Sequence, residues 1–437
     1  MGVGMKEIGI GIVGFGTVGA GVVEGLQRNG PLVEERTGVR LALRGIADLD
    51  LEKDRGVKVP AALLTRDAAG LIADPRVDIV VELVGGTTVA RSFIRKALEL
   101  RKPVVTANKA LLAEHGDELF ALAAERQTEI GFEASVGGGI PIIRALRDGL
   151  VANRIDRIYG ILNGTCNSIL TRMDREQMTF EHALKEAQSA GYAEADPGLD
   201  IDGTDTAHKA AILASLAYGV RVPMSRIYVE GIRGLAKADI EFARTLGYRV
   251  KLLAVIKNDA GVVDVRVHPT LIPMDHMLAS VMDVFNAVVV DGDIAGQTVY
   301  YGRGAGRLPT ASAVISDLAE AAARLASGQP ARRSTAAAPL AYRAMGDVEG
   351  RYYIRLSVLD KPGAFGQVAS VLGQRRISLA SVVQKEPHRS GRHVSVVILT
   401  HPAIEKDVDE ALKALEDVEV VGAKSVRLRI EDLGIEK

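Results

Sequence analysis

The chain is short of cysteine, of net charge and of long apolar runs, and each shortage removes a class of function. Cys166 is the only cysteine in 437 residues. It cannot form an intrachain disulfide, and the sequence holds neither a CxxC pair nor a metal-like spacing among its eight histidines. A reducing cytoplasm is the compartment this predicts. Fifty-four basic residues against 55 acidic ones leave a formal charge of −1. No overall field therefore draws the chain to nucleic acid or to an anionic membrane surface. No apolar run approaches the length that crosses a bilayer. The N-terminal "MGVGMKEIGIGIVGFGTVGAGVV" is glycine-rich, is broken by Lys6 and Glu7, and lacks the charged start and cleavage pattern of an export signal. The expectation is a soluble, unexported, cytoplasmic protein with no nucleic-acid or membrane partner.

What is present is a globular composition, 47% hydrophobic and 25% charged. The length exceeds one ordinary core, so two to four domains are expected. From residue 7 to 136, short apolar runs ("EIGIGIV", "RLALRGIAD", "DIVVELVGG", "KPVVTANK", "EIGFEASV") alternate with helical stretches at 17–29, 88–100 and 109–125. That rhythm predicts a parallel sheet with helices on both faces, a Rossmann-type nucleotide-binding domain over residues 1–136. Residues 137–325 read as a mixed α+β domain whose end returns to the first. Residues 326–348 have the composition of a linker, rich in Pro, Ser, Arg and Ala. From 349 to 437 the order βαββαβ predicts a ferredoxin-like module. The fold class is α/β, in three parts.

Gly14, Phe15, Gly16, Thr17, Val18 and Gly19 make a GxGxxG that follows a strand and opens a helix. The first glycine permits the turn, the second lets a pyrophosphate approach, and the third allows close helix–strand packing. Asp48 lies 29 residues beyond Gly19, so the intervening helix or loop is longer than usual. It can take a ribose hydroxyl or merely cap its strand, and Arg44, Lys53 and Arg55 are placed to hold a 2′-phosphate instead; NAD and NADP stay open. Lys109, in "TANKALL", follows a strand's carboxyl end, where ligands bind in such sheets, although a solvated lysine satisfies the same pattern.

The stretch "AEADPGLDIDGTDTAHKAAILASLAYG" packs Glu194, Asp196, Asp200, Asp202 and Asp205 ahead of Lys209. Asp202 as N-cap with Asp205 three residues on would be a capping box, and Asp205 with Lys209 an i,i+4 pair on one helix face. The helix that follows is apolar nearly all round, so burial of the lysine is expected. Desolvation lowers an ammonium pKa and neighbouring carboxylates raise it, a balance that suits proton transfer near neutrality. The carboxylates would hold a substrate carrying its own positive charge. Cys166 has no histidine arranged to activate it and reads as a buried small residue.

"AQSAGYAEADPGLDIDGTDTAHK" at 187–209 resembles the signature of the homoserine dehydrogenase family. "TANKALL", "FEASVGGGIP", "LNGTCN" and "YGRGAGRLPTASAV" resemble its further landmarks, in order, over about residues 5–325. The resemblance implies reversible hydride transfer between NAD(P)H and aspartate 4-semialdehyde, giving homoserine. It implies Lys209 as proton donor and Asp205 as the acid that orients substrate and lysine. Glu194, Asp200, Lys109 and Gly191 would meet the substrate, with Lys109, Glu194 and Gly306 also at the cofactor. Asp196 and Asp202 are expected to cap turns. Glu133, through its carboxylate, and Val136, Gly138 and Ile140, through carbonyls, would hold a monovalent cation, sodium; a purely structural turn is the alternative. A structural turn is likewise the alternative for Gly306.

The tail resembles an ACT domain. Asp360, Lys361 and Gly363 in its first turn would bind an amino acid, by implication threonine, unless the module only dimerises. A homodimer or homotetramer is expected. Deleting 349–437 is expected to leave catalysis and abolish threonine sensitivity, and no kinase-like segment is expected ahead of the nucleotide domain. The competing reading, an inactive amino-acid sensor that keeps the nucleotide fold, sits badly with an intact Glu194, Asp205 and Lys209 set.

Overall fold

A computed structural model of the chain describes residues 6–332, 340–384 and 393–434. Residues 333–339 of the expected linker lie outside the described residues. The described residues fall into two compact units, one within Met1–Ile158, Ala207–Ser225 and Phe285–Pro339, the other within Tyr159–Thr206, Arg226–Val284 and Leu340–Lys437.

In the first unit, β1 (Lys6–Val13), β2 (Val39–Ala47), β3 (Leu64–Thr65), β4 (Ile79–Glu82), β5 (Val104–Thr106) and β6 (Ile130–Gly131) form one sheet in the order β3-β2-β1-β4-β5-β6. Every pairing is parallel. The strands read as unbroken apolar runs because both faces are covered. On one face Ile10 and Ile12 pack with Val22 and Val23 of α1 (Thr17–Thr37) and with Val314 and Leu318 of the helix Arg307–Ser327. On the other, Val80 and Val104 pack with Ile94, Leu98 and Leu111, the last from α2 (Lys109–Glu125). A Cβ at Gly21 would stand 2.5 Å from the Arg307 carbonyl oxygen, so a glycine there lets the two helices on the first face touch. The strand order reverses between β1 and β4, and the crevice beyond their carboxyl ends is where open sheets of this kind bind ligands. Helix α1 outruns the expected 17–29, ending on Gly38 in the left-handed region (φ 71°), whose N–H closes on the Glu34 carbonyl at 2.8 Å. That length accounts for the long interval between Gly19 and Asp48.

The second unit is built on a sheet of β8 (Tyr248–Asp259), β9 (Val262–Pro273), β10 (Glu349–Leu359), β11 (Leu379–Gln384), β12 (His393–Thr400) and β13 (Val426–Ile430), in the order β8-β9-β13-β10-β12-β11. A short strand, β7 (Tyr228–Val229), also runs parallel to β9. Asn163 is followed by α3 (Gly164–Arg175), while Asp200 lies on α4 (Gly198–Ile201) and Asp205 in the first turn of α5 (Thr204–Tyr218), most of which belongs to the first unit. The βαββαβ tail adds α6 (Ala364–Gln374) and α7 (Glu405–Glu416), which bury Val368, Leu372, Val408 and Leu415 against Ile354, Leu356 and Ile398.

The last strand of the tail does not stay within the tail. Thr270 and Leu271 of β9 pair in parallel with Arg429 and Ile430 of β13, and the Glu431 N–H reaches the Leu271 carbonyl at 3.1 Å. Arg355 of β10 makes a double hydrogen bond to the fully buried Asp239 at 2.6 and 3.0 Å, and the Tyr353 hydroxyl donates to the same carboxylate at 3.0 Å. Removing 349–437 would therefore strip β9 of a neighbour and take from Asp239 the hydrogen bonds it receives from Arg355 and Tyr353. Intact catalysis after that deletion does not follow from this fold. Among the described residues, no helix is long and apolar enough to cross a membrane.

Candidate active site

The glycine turn is dictated by crowding. Gly14 has φ 103°, and a Cβ there would lie 2.5 Å from the Leu83 carbonyl carbon. Its N–H donates to the Ala47 carbonyl at 2.8 Å, and the Phe15 N–H donates to Asp48 Oδ2 at 2.6 Å. Asp48 thus holds the turn itself, while its other oxygen accepts the Asp50 N–H at 2.9 Å and faces the Arg55 guanidinium at 3.6 Å. Gly16 is the N-cap of α1 and no side chain caps that end. The first N–H groups of α1, at Thr17, Val18 and Gly19, are consequently presented to an anion. Gly306, at φ 127°, opens the helix Arg307–Ser327, and Glu24, Gly56, Arg303, Gly306 and Arg307 border one cleft.

Lys109 begins α2 immediately beyond β5. Asn108 caps that helix by accepting the Leu111 N–H at 3.2 Å, and its amide donates to the Gly86 carbonyl at 2.7 Å. Sequence reasoning missed Glu82, the fully buried last residue of β4. Its carboxylate accepts from Thr106 Oγ1 at 2.7 Å, from the Val84 N–H at 2.8 Å and from the Gly85 N–H at 3.3 Å. Burial pushes its pKa up against those hydrogen bonds. It ties the carboxyl ends of β4 and β5 together beside Lys109. An acid inside "IVVELV" was the available signal.

Lys209 lies on α5, four residues after Asp205, and only 8% of it is exposed. Ala207, Ala210, Ala211, Ile212, Leu213 and Ala214 are buried around it, as expected of a helix apolar on every side. Next to it, His208 Nε2 stands 4.0 Å from Glu114 of α2, and Arg221 donates to the Glu114 carbonyl at 2.9 Å. These contacts fasten the Lys209 helix to the helix that begins with Lys109.

The carboxylates are gathered by a residue that sequence reasoning did not single out. Asn163, 5% exposed, caps α3, with Oδ1 accepting the Cys166 N–H at 2.8 Å. Its amide hydrogens go to Asp200 Oδ1 at 2.7 Å and Asp205 Oδ2 at 2.8 Å. One neutral amide thereby offsets the repulsion of two carboxylates. The residue sits in "LNGTCN", but nothing in that motif tells which acids it faces. Cys166 is fully buried, with Sγ 3.2 Å from the Asp200 carbonyl. Glu194 and Gly191 lie on an exposed loop, tied to α3 by the Thr165 hydroxyl donating to the Tyr192 carbonyl at 2.8 Å. Asp196 accepts the Gly198 N–H at 3.1 Å and closes a turn, as expected.

One expectation is corrected here. Asp202 does not cap α5, which starts at Thr204 with Gly203 before it. Asp202 instead ends α4 and binds Arg233 at 2.8 and 2.9 Å. The two oxygens of the Glu133 carboxylate accept the Ile143 and Arg144 N–H groups, each at 2.9 Å. Those donors are the otherwise unsatisfied first N–H groups of a short helix, and a buried carboxylate is the nearest acceptor. Val136, Gly138 and Ile140 do lie on a glycine-bent loop, with φ 76° at Gly137 and 54° at Gly138. Against the same loop sits Gly304, and against Gly304 the buried amide of Asn286, whose oxygen and nitrogen have no hydrogen-bond partner among the described residues. No group of three or more His, Cys, Asp and Glu among the described residues is arranged to hold a metal. Asp360, Lys361 and Gly363 form an exposed turn before α6, with Gly363 at φ 82°.

Beneath α3 lies a buried ammonium. Lys251, 1% exposed, donates to Asn167 Oδ1 at 2.8 Å and to the Val281 carbonyl. Burial, with Arg249 nearby, pulls its pKa down from 10.5 to about 7. Between those values the unfolded chain binds more protons than the folded one, so this group makes stability rise with pH. The expected result is a melting temperature that climbs from about pH 7 to about pH 9 more steeply in the wild type than in Lys251→Met. Parallel pH profiles for the two proteins would remove Lys251 as the cause.

The family model for homoserine dehydrogenase matches residues 141–319, that for the NAD binding domain of homoserine dehydrogenase residues 14–133, and that for the ACT domain residues 352–420. A homoserine dehydrogenase of Neisseria gonorrhoeae is 44% identical over 436 residues, covering 98% of this chain and all of the relative. One from Pseudomonas aeruginosa is 43% identical over 441 residues with the same coverage. The crystal structure of a homoserine dehydrogenase from Thiobacillus denitrificans superposes with a TM-score of 0.93 at 42% identity, over 99% of this chain and all of that one. A hyperthermophilic archaeal homoserine dehydrogenase in complex with NADPH matches at a TM-score of 0.62 and 31% identity, over 72% of this chain and 98% of that one. A doubly wound sheet with an uncapped glycine turn, joined to a carboxylate-and-lysine helix, defines the class: an NAD(P)-dependent oxidoreductase, here with an ACT domain at its C-terminus. Within that class, the chain belongs to the homoserine dehydrogenase family.

Proposed function

We propose that the chain interconverts aspartate 4-semialdehyde and L-homoserine, with Lys209 moving the proton on the substrate's C4 oxygen. The nicotinamide, when bound, supplies or accepts the hydride at C4. Lys209 suits its part because α5 buries it to 8% exposure, where a proton donor acts with little competition from bulk water. Asp200 and Asp205, held apart and oriented by Asn163, grip the substrate ammonium, and Glu194 and Gly191 close over it from their exposed loop. Lys109 meets the substrate carboxylate. The uncapped end of α1 takes the pyrophosphate, with Gly306 lining the cofactor's path. The observation that carries the reading is the buried lysine one helical turn beyond a carboxylate already engaged by an amide.

Two finer parts belong to the same proposal. A monovalent cation, sodium, is held by the Glu133 carboxylate and the carbonyls of Val136, Gly138 and Ile140, with the Asn286 side-chain oxygen as a further hard donor against the same loop. Threonine, the end product, binds the exposed turn at Asp360, Lys361 and Gly363, where N–H groups free of side-chain bulk meet its carboxylate. Steady-state kinetics with NADH and with NADPH, each with and without threonine, test the reading. Aspartate semialdehyde is expected to consume at least one reduced cofactor, followed by loss of its near-ultraviolet absorbance. No turnover with either would overturn the assignment.

A further inference from the structure

In the second unit, one guanidinium joins three elements that are far apart in sequence. Arg429 of β13 is 4% exposed. Its Nε lies 3.2 and 3.1 Å from the two oxygens of Glu405, the first residue of α7 and itself 1% exposed. Its Nη1 donates to Glu230 Oε2 at 2.8 Å and its Nη2 to the Tyr228 hydroxyl at 3.1 Å, with the Tyr228 ring 4.8 Å from the guanidinium carbon. The Tyr228 hydroxyl donates in turn to Glu230 at 2.8 Å. Buried charges so fully paired hold their elements in one register, because moving any element strands a desolvated ion.

The segment that begins at Tyr228 leads from this knot to the substrate carboxylates. The Glu230 N–H is pinned to the Val267 carbonyl of β9 at 2.8 Å. Gly231 lies so close to the end of α4 that a Cβ would collide with the Ile201 carbonyl oxygen and stand 2.5 Å from Asp202 Cα. The Ile232 N–H donates to the Ile201 carbonyl at 2.8 Å, and Arg233 clasps Asp202 through two hydrogen bonds, at 2.8 and 2.9 Å. Asp200, whose carboxylate shares the Asn163 amide with Asp205, is the residue before Ile201. Every link is a packed or hydrogen-bonded contact within one compact unit.

We propose that Glu230–Arg233 is a positioning strut: Arg429 and Glu405 of the ACT domain fix Glu230, and the strut fixes the end of α4, so the ACT domain sets how Asp200 is presented to the substrate. The inference rests on the reading of Asp200 and Asp205 as substrate carboxylates. It places control of this enzyme on the affinity for the amino-acid substrate and not on the cofactor. An amino acid bound at the 360–363 turn acts through β10 and its neighbour β13 on Arg429, and from there on Asp200.

Two variants of the full-length chain test it. Glu230→Gln keeps the shape and a hydrogen-bond acceptor while removing one of the two carboxylate charges that answer Arg429, the one on the strut. Gly231→Ala leaves the Arg429 knot intact and displaces the end of α4. Both are expected to raise the KM for homoserine by about tenfold or more, with kcat within about twofold and the dissociation constant for NADPH unchanged. Hydrogen exchange at amides 198–203 should quicken in both, while exchange in β1 and β4 stays as in the wild type. The exchange readout does not depend on turnover, so an inactive wild type would overturn the assigned reaction without touching the strut. Wild-type KM together with wild-type exchange at 198–203 in both variants would overturn the strut. Equal losses of kcat, cofactor binding and melting temperature would also overturn it, since they mark a general structural role.

Discussion

Lys209→Ala lowers kcat by roughly a hundred- to ten-thousand-fold, the span that positioned proton donors contribute, and leaves the cofactor dissociation constant within about twofold of wild type. Alanine is the best helix former and the neighbours at 207, 210, 211 and 214 are already alanines, so α5 stays folded. What is lost is the buried lysine, and with it the group that, in the proposed reaction, stabilises charge developing on the C4 oxygen. The glycine turn and the uncapped end of α1, to which the proposal assigns the cofactor, lie in another stretch of the chain. Rapid-mixing measurement of the chemical step, beside fluorescence titration of NADPH, separates these effects. Retained turnover in the variant would take Lys209 out of the reaction.

Asn163→Ser has the second large effect, a fall in kcat/KM of about thirty- to a hundredfold. The amide makes two hydrogen bonds to carboxylates, at 2.7 and 2.8 Å, and bonds to charged groups are worth about 1.5–3 kcal/mol each. One such loss expressed in the transition state gives about that factor. Serine still caps α3 by accepting the Cys166 N–H, so the helix end keeps its partner. Asp200 and Asp205 are left to repel each other and turn away from a common target. Unchanged kcat/KM in this variant, with α3 intact by circular dichroism, would reduce Asn163 to a cap.

Much of this site is legible from local pattern. The GxGxxG follows a strand and opens a helix, and that context predicts both the turn and the parallel sheet. Lys209 was expected to be buried because alanine and leucine surround it on every side of one helix. Both inferences use only residues within a few turns of each other, where backbone geometry alone brings side chains together. Asp202 shows where the reasoning stopped. Its spacing from Asp205 imitates a capping box, yet Gly203 intervenes and Arg233 offers a full charge, which outweighs one backbone N–H. Glu133 shows the same limit: the motif suggests an ion ligand, and only the fold shows that its carboxylate also accepts two helix N–H groups.

The order of strands and helices, the nucleotide turn and the buried lysine all follow from periodicity and glycine placement along the chain, because those features depend on neighbours in sequence. The pairing of β13 with β9, the meeting of Asn163 with Asp200 and Asp205, and the Arg429–Glu230 bond do not. They join residues separated by tens to hundreds of positions, and each rests on a buried polar group finding the one partner that the folded chain brings within reach. No spacing rule encodes that choice; it is made by the cost of leaving such a group unpaired once water is gone.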